Sequence, residues 1–241
     1  MILNVKKDPM GAAIRDYFEK GKAMQLKVTS SLFDDDEMPV PYLFRTPFEM
    51  SGIERHALSM CQGRVLDVGA GAGCHSMALQ EQGFSVTAID VSPLSVETMR
   101  RRGVFEVELA DFFTSKLPAE TYDTILMLMN GIGIVGKIKH LPDFFHRLDQ
   151  ILASGGCVLT DSSDLRYIFE DEDGTFDSSD FDMYYGEVDY QMQYGKIKGE
   201  TFDWVYIDAE TLSQVAEKYG YKVEIVRRGE HYDYLAKITK A

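Results

Sequence analysis

The residues with the clearest chemical spacing lie in the run Val65-Leu-Asp-Val-Gly-Ala-Gly-Ala-Gly73, where Gly69, Gly71 and Gly73 alternate between an apolar stretch and a helical one. Glycine at such positions lets the chain turn tightly and lets backbone amides approach a ligand at the positive end of a helix. Asp90 closes the next apolar stretch, where a carboxylate can accept hydrogen bonds from both hydroxyls of a ribose. Together these residues imply a nucleotide-like ligand seated at a helix N-terminus. Taken singly, the loop also reads as an ordinary strand–helix turn, and Asp90 as a helix cap.

Other reactive side chains are few. His140, in the region that follows the fourth strand, is the candidate general base on position alone. His75 opens the helix after the glycine loop and reads either as facing the site or as a locally packed first-turn residue, while His56, His146 and His231 read as structural or exposed. Cys61, Cys74 and Cys157 are far apart with no CxxC pair, which argues against a disulfide framework and a zinc site. The run Asp171-Glu172-Asp173-Gly174 lacks the ligand spacing and terminal glutamate of a calcium loop, so no metal is expected.

The elements that must position these residues follow from periodicity. Strands are expected at 64–68, 85–90, 104–109, 122–129 and 157–160, with helices at 74–82, 92–102 and 138–152 between them. Gly155-Gly156 is expected to end the last of these helices, and Arg100, Arg101 and Arg102 to complement the dipole of the one before it. Short apolar strands alternating with helices imply an α/β fold with a parallel sheet covered on both faces. A helix at 211–219 and strands at 222–227 and 232–238 end the chain, and the short turn at Gly229-Glu230 makes that last pair antiparallel. Before it, residues 162–203 hold twelve carboxylates, three basic residues and nine aromatics, with strand-like alternation over 184–198. The first sixty residues carry helical character at 16–27 and a second helix over 50–61. Four segments are therefore expected: an N-terminal helical segment at 1–62, an α/β core at 63–161, a small antiparallel β insert at 162–203 and a C-terminal completion of the core sheet at 204–241.

The sequence resembles the class I S-adenosylmethionine-dependent methyltransferases. The stretch 65–73 resembles that family's first motif, Ala88-Ile89-Asp90-Val91-Ser92 its ribose motif, Ala110-Asp111-Phe112-Phe113 its adenine motif, and Tyr122-Asp123-Thr124-Ile125 leading to Asn130 its fourth motif. The resemblance implies a Rossmann-like, doubly wound, seven-stranded, mostly parallel sheet with an antiparallel terminal hairpin strand, with residues 1–62 as a lid and 162–203 as a substrate cap. It implies S-adenosylmethionine as cofactor and S-adenosylhomocysteine as product. Asp67, Gly69, Ala70 and Gly71 would hold the methionine moiety, Asp90 and Val91 the ribose, Asp111 and Phe112 the adenine, and Asn130 with Gly131 would lie beside the methyl group. N-terminal segments of such enzymes fold over the cofactor, which singles out Arg45 as a partner for the methionine carboxylate.

The third glycine comes one position earlier than in the nicotinamide GxGxxG pattern, with Cys74 in the expected slot, which favours S-adenosylmethionine. Asn130-Gly131-Ile132-Gly133 also departs from the Asn/Asp-Pro-Pro-aromatic signature of enzymes that methylate DNA bases and glutamine. The net charge of -14 argues against a phosphate-backbone partner. The N-terminal residues lack the apolar run of a signal peptide and no stretch approaches a membrane span, so a cytoplasmic protein is expected. Methyl transfer from a sulfonium needs alignment and water exclusion more than a base. The expected activity is in-line methyl transfer to a small-molecule acceptor with little general-base chemistry. Tyr167, Tyr184, Tyr185, Tyr190 and Tyr194, in an acidic cap, favour an amine-bearing or cationic acceptor through charge and cation–π contacts. A non-catalytic binding module of the same fold and a nicotinamide-dependent oxidoreductase are the competing readings.

Overall fold

The fold comes from a computed structural model that describes residues 1–170, 175–176 and 183–241. Asp8 caps helix α1 (Pro9–Lys20) by accepting from the Gly11 amide at 2.9 Å, Pro9 sets its first turn, and Gly21 ends it in the left-handed conformation. The chain then forms two short strands, β1 (Leu26–Thr29) and β2 (Asp36–Met38), before helix α2 (Gly52–Met60), which starts on a Ser51–Glu54 capping box. Next come β3 (Arg64–Val68), α3 (Cys74–Glu81), β4 (Ser85–Asp90), α4 (Pro93–Arg102), β5 (Glu106–Leu109) and β6 (Tyr122–Met127). The alternation ends with α5 (Leu141–Ile151) and β7 (Leu152–Ser163). After these follow β8 (Glu187–Tyr194), β9 (Ile197–Lys198), β10 (Phe202–Val205), α6 (Ala209–Lys218), β11 (Tyr221–Arg228) and β12 (Asp233–Lys240).

The main sheet has seven strands in the order β11-β12-β7-β6-β3-β4-β5. All pairs from β7 to β5 are parallel, and β12 runs antiparallel to both β7 and β11, which is the expected terminal hairpin. Alternation along the strands feeds two cores, because successive side chains point to opposite faces. Ile125, Met127 and Val158 meet Phe144, Phe145 and Leu148 of α5 and Leu212 of α6. Leu126 and Leu159 face the other way, against Ile53 and Ala57 of α2 and Leu79 of α3.

Three local expectations change. Helix α5 stops at Ile151, and Gly155 and Gly156 lie inside β7, where a side chain on Gly156 would sit 3.0 Å from the carbonyls of Ala153 and Tyr122. The arginine run does more than complement a dipole: Arg100 reaches the Val107 carbonyl at 2.8 Å, Arg101 pairs with Glu19, and Arg102 binds the Ala72 carbonyl within the glycine loop. The helix expected at 16–27 is shifted toward the N-terminus, since Gly21 breaks it and Leu26 starts a strand.

That strand belongs to a second, antiparallel sheet in the order β10-β8-β1-β2, with β9 added to β8. The cap is thus built from two parts of the chain that sequence reading kept apart, with Leu26 opposite Tyr194 and Phe202 opposite Tyr190. The 203/204 boundary falls inside β10. The acidic run at 171–174 lies outside the described residues. The cap docks on the loop after β6: Glu187 accepts from the Ile138 amide at 2.9 Å, Lys137 lies 3.5 Å from Asp203, and Trp204 packs against Gly133 so closely that a methyl group there would overlap its Nε1.

Candidate active site

The glycine loop leaves the C-terminal end of β3 and stitches itself to β4. The Gly69 and Ala70 amides donate to the Ile89 carbonyl at 2.9 and 3.1 Å. Gly69 and Gly71 have φ of +69° and +57°, which side-chain-bearing residues rarely adopt. The Gly71 amide donates to Asp90 Oδ2 and the Ser92 amide to Asp90 Oδ1, each at 2.8 Å. Burial pushes the Asp90 carboxyl up to about 6 against these two amides, and Asp8 and Asp67 add to the push. Asp67 is buried under the loop and accepts from Ser76 Oγ at 2.5 Å, and burial raises its pKa. The N-terminal segment crosses the end of β4, where the Leu3 amide donates to the Val91 carbonyl at 2.9 Å and Ser92 Oγ donates to Asp8 at 2.5 Å.

At the end of β5, Asp111 Oδ1 accepts from the Phe113 and Thr114 amides at 2.9 and 3.0 Å, while Oδ2 pairs with the Met1 ammonium. Phe112 is buried against Phe113, ring centroids 5.1 Å apart, and Arg147 grips this turn through the Phe112 and Ser115 carbonyls at 2.7 and 2.6 Å.

Arg45 is buried beside the start of α3, in a cluster with Tyr42, Glu54 and His75. Glu54 accepts from Arg45 Nε at 2.8 Å and contacts His75 Nε2 at 2.7 Å, and Arg45 Nη1 binds the Tyr42 carbonyl at 2.7 Å. Burial opposes the charged form of His75, yet Cys74, Glu54 and Asp67 outweigh it and raise its pKa. The sequence left His75 open between facing the site and packing locally and did not single out Glu54, although the Ser51-x-x-Glu54 capping box was legible.

At the end of β6, Met129 and Asn130 adopt positive φ of 67° and 54° and swing the Gly131 amide toward β7, where it donates to Asp161 Oδ1 at 3.2 Å. Burial pushes the Asp161 carboxyl up to about 6, against the Asn130 and Gly131 amides and the charge of His75. Among the described residues, no cation pairs with Asp161. Two residues on, Ser163 Oγ donates to Asn130 Oδ1 at 3.2 Å and lines a pocket of about 240 Å³ with Phe33, Leu165, Tyr167, Tyr190 and Tyr206. Asp161, Ser163 and Tyr206 had no place in the sequence-based site; the polar run Thr160-Asp161-Ser162-Ser163 after an apolar strand was the signal available.

The five cap tyrosines separate. Tyr167 and Tyr190 line the pocket, where Tyr190 Oη lies 3.0 Å from Tyr206 Oη and Tyr167 stacks on Tyr232 with centroids 4.7 Å apart. Tyr184 donates to Asp208 at 2.6 Å, Tyr185 to Asp164 at 2.7 Å, and Tyr194 to Asp16 at 3.0 Å beside α1. His140 stands at the start of α5, half exposed, its Nδ1 3.9 Å from Asp143, in a separate open pocket of about 460 Å³ with Phe113, Ile134 and His146. The structure does not bring it to Asn130, Asp161 and Ser163.

The donor set has a chemical sign. The carboxylates of Asp67, Asp90 and Asp161 stand near the ends of β3, β4 and β7 in the parallel part of the sheet, the last two each accepting from a glycine amide. That arrangement suits a ligand bearing hydroxyls and positive charge, as a sulfonium nucleoside does, better than a pyrophosphate. A family model for a methyltransferase domain matches residues 40–226. An S-adenosylmethionine-dependent methyltransferase from Bacteroides fragilis, solved with S-adenosyl-L-homocysteine, is 54% identical, covers 100% of this chain and 98% of its own, and superposes with a TM-score of 0.94. The chain belongs to the S-adenosylmethionine-dependent methyltransferases. The methyltransferase also shares its fold with CcbJ from Streptomyces caelestis, at 12% identity and a TM-score of 0.61 over 97% of this chain and 98% of that one. A ubiquinone biosynthesis O-methyltransferase from Xylella fastidiosa is 28% identical over 122 residues, 48% of this chain and 46% of that protein, so the methyltransferase spans about half the length of this curated relative. No helix among its described residues is long and apolar enough to cross a membrane.

Proposed function

We propose that the protein transfers a methyl group from S-adenosylmethionine to an amine-bearing small molecule held between the cap and the end of β7. S-adenosylmethionine, when bound, supplies an electrophilic methyl group on a cationic sulfur. Asp90 would take the ribose hydroxyls while its bonds from Gly71 and Ser92 keep it oriented. Asp111 and the Phe112 amide would meet the adenine. Asp67, Gly69, Ala70 and Gly71 would hold the methionine moiety, with Arg45 near its carboxylate. Asn130 and Gly131 would flank the methyl group.

The observation that carries the acceptor reading is the pocket beside Ser163. Its walls are aromatic, its hydroxyl-bearing residues are Ser163, Tyr167, Tyr190 and Tyr206, and on the same strand face stands the Asp161 carboxylate, which pairs with no cation among the described residues. Aromatic faces and an unpaired carboxylate favour a cation or an amine over a neutral acceptor. The docked cap would exclude water, which methyl transfer requires of its site.

Calorimetry with S-adenosylmethionine, S-adenosylhomocysteine and NADH tests the cofactor. Binding of both sulfur ligands is expected, and binding of NADH without them would overturn the reading. Transfer of a radiolabelled methyl group to a panel of small amines and their hydroxyl counterparts tests the acceptor. Amines should be labelled, and labelling of the hydroxyl compounds alone would reject the amine class.

A further inference from the structure

We infer that Asp161 anchors the acceptor's amino group and takes the proton released when that group is methylated. The inference rests on the amine reading above and assigns it to one residue. Asp161 lies where two parts of the site join. Its Oδ1 is held at 3.2 Å by the Gly131 amide on the loop after β6, the loop placed beside the methyl group. Two residues further along β7, on the same face of the strand, Ser163 lines the aromatic pocket. A group in that pocket that reaches toward Gly131 must pass the Asp161 carboxylate.

The surroundings leave the carboxylate available. Among the described residues no lysine, arginine or side-chain hydroxyl binds it. The titratable groups that face it are His75 from α3, Tyr206 after β10 and Tyr234 from β12, with His231 at the mouth of the pocket. Tyr234 is committed to the Ile207 carbonyl at 2.6 Å and Tyr206 to Tyr190 at 3.0 Å, while Glu54 engages His75 at 2.7 Å. Burial makes the carboxylate a stronger base than an exposed one, with its pKa near 6. The anchored ammonium gives one proton to Asp161, which frees the nitrogen lone pair. The lone pair forms the C–N bond as the S–C electron pair withdraws to sulfur, the product leaves as a methylammonium, and Asp161 returns its proton to water.

The test uses the whole protein saturated with S-adenosylhomocysteine and two probes of one shape, benzylamine and benzyl alcohol, titrated by calorimetry. Wild type should bind benzylamine at least about tenfold more tightly than benzyl alcohol, the scale of a charge-assisted hydrogen bond. Asp161→Asn should abolish that preference and Asp161→Glu should restore part of it, each variant being titrated at its own saturating S-adenosylhomocysteine concentration. A preference that persists in Asp161→Asn overturns the role of Asp161 and leaves the amine reading standing. Equal binding of the two probes by wild type, or no benzylamine binding, overturns both.

Discussion

The Gly71 amide and the Asp90 carboxylate meet at 2.8 Å, so the loop after β3 and the residue that ends β4 form one hydrogen-bonded unit. The same carboxylate fixes the Ser92 amide at 2.8 Å. Asp90 thereby shapes the loop and presents itself to a ligand.

Asp90→Ala removes both functions. S-adenosylhomocysteine binding is expected to weaken by roughly 1.5–3 kcal/mol, the range of a hydrogen bond to a charged group. Calorimetry measures this, and an unchanged affinity would make the ribose assignment wrong.

Glu54 is the shared counter-charge for Arg45 and His75, and it also accepts from the Ser51 amide at 2.8 Å. Glu54→Gln keeps the shape and deprives two buried cations of the anion they share, at a cost of about 3–5 kcal/mol in chemical denaturation. The pH dependence has a definite sign. Burial opposes the Glu54 carboxylate, but His75, Arg45 and the Ser51 amide outweigh it and hold the carboxyl well below its ordinary 4.5. A depressed carboxyl stabilises the fold above its unfolded value and loses that contribution as pH falls through the folded one. Wild type should therefore lose part of its advantage over the variant as pH drops below 4.5. A gap between the two that stays constant down to acid unfolding would refute the assignment.

Asp161 has the opposite sign. Its carboxyl is raised from 3.8 to about 6, so the folded state favours the proton. The associated stability is complete below 3.8 and is lost as pH rises through 6. Asp161→Asn removes a half-buried charge and should stabilise the ligand-free protein by roughly 1–3 kcal/mol at pH 8, from about 1.4 kcal/mol per pKa unit. Thermal melts at pH 8 and pH 5 should show the gain shrinking toward acid. A gain independent of pH would point to packing instead.

Gly133 holds the cap to the core by having no side chain. A Cβ there would lie 2.0 Å from Trp204 Nε1. Gly133→Ala should cost about 1–3 kcal/mol by overpacking. Trp204 is the sole tryptophan in the chain, so its fluorescence reports the docking directly and should shift to the red. An unshifted spectrum would show that the cap is held elsewhere.

The core was legible to the extent that its contacts are local. Strand, glycine turn and helix follow within single stretches of chain, and Ser92 caps α4 as its type and position imply, accepting from the Ser95 amide at 2.9 Å. Alternation over 184–198 marked a hairpin correctly. It carried no information about the partner strand β1, because Leu26 and Tyr194 are far apart in sequence and meet only when α1 folds between cap and core.

Asp90 and Asp161 mark the division. Asp90 follows its glycine loop by one helix and one strand, so motif spacing alone brought the two together, and with them the cofactor class. Asp161 approaches Gly131 only because β7 lies parallel to β6 across an intervening helix, and Ser163 meets Tyr190 and Tyr206 only after the second sheet closes over the first. Those contacts depend on how distant strands pair and on which face a residue points to, and tertiary packing settles both. The methyl donor was therefore readable in the chain itself, while the place prepared for the acceptor was decided by the fold.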